Sequence, residues 1–225
     1  MNHDDMLDAF LAEELEEETE VNPVFDLISD ELSLIKSHAI QEFVKAVLGR
    51  SNILWFVSVA PEDNDDLQNL WPSDCYKPGG ELLNIRRVVR ACDVLAESHQ
   101  LDQEDRDILL AAGFVHSITK YYTDEDGEPK YDPMHPYTVD SYVGALREEE
   151  QTTALEGNPH TVLLADETVM QILRVVRCQR GPWSIIPETL PVTLLEILLH
   201  TAYQFMINVD YIVDGDNVVE ERWEF

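Results

Sequence analysis

The stretch AAGFVHSITKYY, residues 111–122, places His116, Ser117 and Lys120 within one short run. A second histidine, His135, opens HPYTVDSYV. Imidazole nitrogens ligate metals and exchange protons near neutral pH. A divalent cation also needs carboxylates, whose negative charge offsets the ion's desolvation. An aspartate after His116 would complete a metal-binding pair, but Ser117 stands there and is neutral at pH 7. Ser117 and His116 do not form a nucleophile–base pair by adjacency, because helix neighbours point about 100° apart. A histidine at the edge of an apolar stripe also has a plainer reading, as a core residue with one nitrogen satisfied. Asp132, Asp140 and Glu81 lie near these residues in sequence and could complete a displaced site. The stretches DEDGE and DGDN are acidic like calcium loops but lack the spacing D-x-D-x-D-G-x5-E, so they read as exposed turns.

Positive charge is concentrated. Arg86, Arg87 and Arg90 fall on one segment and Arg174, Arg177 and Arg180 on another, six of the 15 basic residues. Two readings stand. The arginines line a pocket that binds an anion or nucleotide, or they pair on helix surfaces with the abundant carboxylates.

These residues must be positioned by helices. Residues 82–98 carry Ile85, Val88, Val89, Cys92, Leu95 and Ala96 at helical spacing. Asp102 is the expected N-cap of a helix running to about 118, with Ile108, Leu109, Ala112 and Val115 as its apolar stripe. Further helices are expected at 30–48, 166–178 and 191–209. YTDEDGEPKY and YIVDGDNVV each set Asp-Gly between strand-prone residues, which predicts two short hairpins with type I′ turns. Between the first two helical stretches, residues 59–80 form a polar loop punctuated by Pro and Gly. Residues 1–20 hold nine acidic residues and no Lys or Arg, with Met6, Phe10, Leu11 and Leu15 at near-helical spacing. They read as an acidic arm or a short amphipathic helix. Trp183 reads as core or turn packing, and Trp223 and Phe225 as a docking tail or a segment folded back.

The chain's 225 residues suffice for one sizeable core, and a hydrophobic fraction of 44% suits a globular protein. Its charge is unusual: 45 Asp and Glu face 15 Lys and Arg, a formal net charge of −30. Such a field repels nucleic acid and anionic membrane and favours basic partners or mimicry of a polyanion. High solubility or salt tolerance is the plainer reading. Cys75, Cys92 and Cys178 are odd in number and widely spaced, which argues for a reducing compartment and against a disulfide framework. The acidic start MNHDDMLDAF has no basic region leading into an apolar stretch, so no signal peptide is expected. VTLLEILLHTAYQFMI carries Glu196 and His200 and reads as a buried helix rather than a membrane span.

Four pieces occur in an order that resembles the HD-domain superfamily of metal-dependent phosphohydrolases. They are PGGELLNIRRVVRACDVL, DILLAAGFVHSITKYY, HPYTVDSYV and ILRVVRCQRGPWSIIPETLPVTLLEILLHTAYQF, within residues 72–208. The resemblance implies a compact all-helical bundle. It also implies that most metal ligands are replaced. Asn84 stands where the family has histidine, Ser117 where it has the aspartate of its name, Gln179 where it has histidine and Tyr203 where it has the closing aspartate. His116 and His135 are retained as the two remaining ligand types, and Lys120 persists. Two histidines alone hold metal weakly, and without held metal there is no activated water to attack a phosphate. HD-like proteins of this truncated type resemble those encoded by bacteriophages, which would place the chain in a host cytoplasm.

The expectation is therefore an all-α, HD-like helical bundle with one or two short β-hairpins. An acidic arm at 1–24 precedes a single domain at 25–225. The expected function is that of a catalytically inactive, acidic inhibitor or adaptor. Its partner would be a protein with a basic or nucleic-acid-binding surface, with no direct contact to nucleic acid or membrane. No cofactor is expected. On the competing reading, a phosphohydrolase acting on a nucleotide or phosphomonoester, Mn, Ni, Zn or Mg would sit on His116 and His135. A third reading is a non-catalytic nucleotide or anion sensor using the arginines.

Overall fold

The computed structural model describes residues 24–51, 58, 73–127, 129–132, 134–155, 165–184, 186–208, 212–214 and 217–219. The acidic arm with its apolar positions, residues 59–72 of the expected loop, Trp223 and Phe225 lie outside them. The architecture is all-α with short hairpins. In chain order the helices are α1 (Val24–Leu27), α2 (Ser29–Leu32), α3 (His38–Arg50), α4 (Gly80–Ser98), α5 (Gln103–Val115), α6 (Val139–Leu155), α7 (Asp166–Arg177) and α8 (Leu194–Asn208). Strands β1 (Tyr121–Thr123) and β2 (Pro129–Tyr131) pair antiparallel, as do β3 (Ile212–Asp214) and β4 (Asn217–Val219). Among the described residues, no helix is long and apolar enough to cross a membrane.

Helix α5 is the axis of the bundle. Every residue from Asp107 to Val115 is buried, so the helix is enclosed on all sides rather than along the one stripe its spacing suggests. It packs against α3, α4, α7 and α8. Asp102 caps it, accepting from the Asp105 N–H at 2.9 Å. Helix α4 buries Leu82, Ile85, Val88, Val89, Cys92 and Ala96 against α5 and α8. Cys75, Cys92 and Cys178 are buried and reduced.

The helix expected over 30–48 is two helices with a break at Ser33–Ser37. The cause lies far away in sequence. The Asp107 carboxylate accepts from the Lys36 N–H at 2.9 Å and the Ser37 N–H at 2.7 Å, while Gln103 Nε2 donates to it at 2.8 Å. Ser37 then caps α3. The backbone satisfies these donors on α5 instead of continuing the helix. Asp107→Ala is expected to lower stability by about 1–3 kcal/mol, through two donors left without their acceptor. Urea denaturation would read this as a lower midpoint at unchanged slope, with Asp107→Asn retaining part of the loss.

The first hairpin has a different turn from the one expected. Its register, Tyr121↔Tyr131 to Thr123↔Pro129, leaves a five-residue connection at 124–128 rather than a two-residue type I′ turn. Asp124 organises it, accepting from the Gly127 N–H through its carbonyl at 3.1 Å and from the Asp126 N–H through its carboxylate at 3.0 Å. Gly127 takes φ +83, which a side chain would resist. In the second hairpin Asp214 pairs with Asn217, and residues 215–216 lie outside the described residues. Helix α6 was not among the expected helices, although Val139, Tyr142, Val143 and Leu146 carry a helical stripe.

Candidate functional site

The polar residues expected to line the pocket are all buried. Asn84, His116, Ser117, Lys120, His135 and Gln179 are at most 1% exposed, and Tyr203 is 5% exposed. Four elements and two turns deliver them. Asn84 lies on α4, and His116 closes α5 as its C-cap. Ser117 and Lys120 follow in the turn that leads to β1, and His135 lies in the turn after β2. Gln179 follows α7, and Tyr203 is on α8.

At the centre is a residue that sequence reasoning named only as a substitute. Glu81 is fully buried, and its Oε2 accepts from Lys120 Nζ at 2.7 Å, with the lysine also fully buried. Its Oε1 accepts from Asn84 Nδ2 at 3.1 Å. The Ser117 hydroxyl lies beside the same carboxylate, outside strict hydrogen-bond geometry. Burial pushes the Glu81 carboxyl up, against the opposing pull of Lys120, Ser117 and Asn84. The signal was present in the sequence. Glu81 and Asn84 are three apart in a helix, hence neighbours on one face, and that face runs on to Ile85 and Val88. This explains the serine at 117. One ammonium balances one carboxylate, and an aspartate at 117 would set a second buried anion beside Glu81.

Beside the ion pair lie the histidines. His116 Nδ1 is 2.7 Å from the Gly113 carbonyl, which only accepts, so Nδ1 carries the proton and Nε2 the lone pair. Tyr203 meets the His116 ring edge-on at 5.6 Å, and Tyr131 meets His135 at 5.8 Å. His116 Nε2, Asn84 Oδ1 and both polar atoms of the Gln179 amide are buried with no hydrogen-bond partner among the described residues. The Gln179 main-chain carbonyl accepts from His200 Nδ1 at 2.7 Å.

His116 is held neutral. Burial lowers its pKa to about 3; the Gly113 carbonyl opposes this, while the charges of Lys120 and His135 reinforce it. The unfolded imidazole takes up a proton near pH 6.5 and the folded one only near pH 3. Between those values the unfolded state binds more protons, so this residue's contribution to stability is complete above pH 6.5 and falls as pH falls. The expected slope is about 1.4 kcal/mol per pH unit below pH 6. Stability measured from pH 7 to pH 5 in wild type and His116→Phe should diverge by that slope, and parallel curves would refute it.

The arginines take carboxylate partners. Arg86 and Arg90 donate to the buried Glu31 at 3.1 and 2.6 Å, Arg174 to Glu196 at 2.6 Å, and Arg177 lies 3.0 Å from Asp140. Arg87 donates to Cys75 Sγ at 3.1 Å and Arg180 to the Tyr131 hydroxyl at 2.7 Å. They therefore do not converge on one anion pocket in this arrangement, and pairing with the chain's own acids is what is observed for four of them. Asp132 accepts from the Met134 N–H and Asp140 faces Arg177. Trp183 sits in a turn, 66% exposed, rather than in the core.

The buried cluster can hold charge and fix helices, and its one central carboxylate is already bound on both oxygens. No known family model, characterised protein or solved structure matches this chain.

Proposed function

We propose that this chain is a non-catalytic, acidic binding protein, a degenerate HD-like bundle that acts through its surface on a basic, nucleic-acid-binding partner. One observation carries the loss of catalysis: the Lys120 ammonium occupies Glu81 at 2.7 Å inside the cluster. A divalent ion approaching His116 and His135 would meet that fixed positive charge. The carboxylate needed to offset the ion's desolvation is taken. The surface then remains as the working part. Arg86, Arg90, Arg174 and Arg177 are engaged by the chain's own carboxylates, and 45 acidic residues against 15 basic ones leave a net charge of −30. A field of that sign steers basic partners and competes with the polyanions they bind.

Two measurements test this. After dialysis against manganese, nickel and zinc, the purified chain should retain no stoichiometric metal. About one ion per chain, lost in His116→Ala, would restore the phosphohydrolase reading and direct a screen of phosphoesters. A lysine-rich, sequence-nonspecific DNA-binding domain should bind the chain and be displaced by duplex DNA, with affinity falling steeply with salt. Binding indifferent to salt and DNA would remove the acidic-surface mechanism. Stabilisation by nucleotides in a thermal shift would favour the sensor reading instead.

A further inference from the structure

Helix α8 carries an apolar stripe on its outer side. Leu194 and Ile197 are each 44% exposed and Phe205 is 43% exposed, with exposed Thr201 between them. Spacings of three and four set these side chains in one row along the helix. Leu198, Leu199 and Ala202, on the opposite side, are buried.

The charge beside this row is local and its sign is positive. Arg174 reaches the first turn of α8 from α7, with its Nε on Glu196 at 2.6 Å, and its side chain stays 62% exposed. His200 stands about one turn beyond Ile197 and donates from Nδ1 to the main-chain carbonyl of Gln179, the residue before Arg180. From Cys178 to Asn208 the only acids are Glu188 and Glu196. Glu196 is turned inward: Oε1 accepts from Arg174, and Oε2 accepts from the Val192 and Thr193 N–H groups at 2.7 and 3.0 Å. Glu188 is exposed on the turn before α8. A basic helix laid on this face, or the same face of a second copy, would bring like charge to Arg174. The occupant that fits is acidic and carries large apolar side chains.

Such a segment begins where α8 ends. Pairing of Ile212 with Val219 turns the chain back, so residue 220 starts a short link away from Asn208. Residues 220–225, EERWEF, hold three glutamates and one arginine, with Trp223 and Phe225 two apart, the spacing that shares one face of an extended chain. Fully extended, six residues span about 20 Å. Ile197 lies about 16 Å back along α8 from Asn208, and Leu194 about 21 Å. The reach matches the row. The acidic arm at 1–20 has the same sign but enters the bundle at α1 and α2, and α2 packs on α4.

From this we infer that residues 220–225 dock along α8, with Trp223 and Phe225 on Ile197 and Leu194 and the glutamates beside Arg174. This contact does not rest on the acidic-binding reading. It gives the apolar row an occupant from the same chain, which a partner must displace to use that surface.

The test is hydroxyl-radical labelling of the full chain, read residue by residue by mass spectrometry. A synthetic peptide of residues 220–225 gives the free rate for Trp223. In the wild-type monomer Trp223 should label about fivefold more slowly than in the peptide, the docked state being one of low opening energy. Leu194→Ser with Ile197→Ser keeps the net charge and should return Trp223 to the free rate. Trp223→Ser should in turn raise labelling of Leu194 and Ile197, and this arm decides if the double variant does not fold. Tyr122, 49% exposed on β1, should label equally in every chain. Trp223 at the free rate in wild type overturns the inference, as does protection that survives both serines. Protection lost on deleting residues 2–20 assigns the cover to the acidic arm instead. Protection that rises with concentration, alongside a dimer in sedimentation, assigns it to a second copy. Either result overturns docking of the chain's own tail. Binding to the DNA-binding domain is measured separately, so failure here leaves the acidic-binding reading standing.

Discussion

Lys120→Met is expected to destabilise the protein by about 3–5 kcal/mol at pH 7, because it leaves the buried Glu81 carboxyl without its counter-charge, to be kept ionised or protonated at a cost. Both side chains are fully buried and joined at 2.7 Å. Their mutual attraction roughly offsets two desolvation penalties, and removing one partner exposes the other penalty in full. Glu81→Gln should lose a similar amount by stranding the ammonium. The double variant Lys120→Met with Glu81→Leu removes both charges at once and should recover most of the loss, since apolar replacement of a buried pair is often neutral or better. Urea denaturation of the four proteins gives the coupling directly. If Lys120→Met shifts stability by less than about 1 kcal/mol, the lysine has water or another anion and the closed-centre description is wrong. If the single variants do not fold at all, the double variant still decides, because it should fold.

The second large effect is steric. A methyl group on Gly80 would lie 2.6 Å from the Cys75 carbonyl carbon and closer still to its oxygen, which is backbone and cannot step aside. Gly80 is the first residue of α4, immediately after Gly79 at φ +81. Shifting it moves the helix that carries both Glu81 and Asn84. Gly80→Ala should therefore lose at least about 3 kcal/mol and disturb the ion pair with it. Gly144 is the internal control. It lies within α6 with open space around its missing methyl group, and Gly144→Ala should gain about 0.5–1 kcal/mol from helix propensity. Thermal unfolding of the two variants should bracket wild type, and similar melting temperatures for both would show that the Cys75 segment yields.

What the sequence made legible follows the range of each interaction. The start of α5 and the span of α7 follow from a cap and a stripe within one or two turns, Asp102 and the Val169–Val176 pattern, while α5 ends at Val115, short of the expected end near 118. The break before α3 was illegible because its cause, Asp107, is some 70 residues away. Helix α6 carries a stripe of its own, Val139, Tyr142, Val143 and Leu146, that follows directly on a histidine and a proline. The buried polar residues were legible as a set, since Asn84, Ser117, Lys120 and Gln179 interrupt otherwise apolar runs. Their arrangement around Glu81 was not, because an acid in the first turn of a helix ordinarily faces water near the positive end of the dipole. Only the packing of α4 on α5 turns it inward. The exposed apolar side chains at the start of α8 were illegible for the converse reason. Val192, Leu194 and Ile197 read as core until the packing of α8 left them outside.

The anchoring of Lys36 and Ser37 on Asp107 also has a temporal meaning. Chains are synthesised from the N-terminus at roughly 5–20 residues per second. The segment that joins α2 to α3 thus leaves the ribosome roughly 4–14 seconds before its acceptor does, at that rate. Until then its two amides have only water, and α3 lacks the helix that buries Ile40, Val44 and Val47. The first helices made thus wait for α5, and a nascent chain halted before residue 107 can hold α2 through Arg86 and Arg90 on Glu31 but has no acceptor for the link to α3.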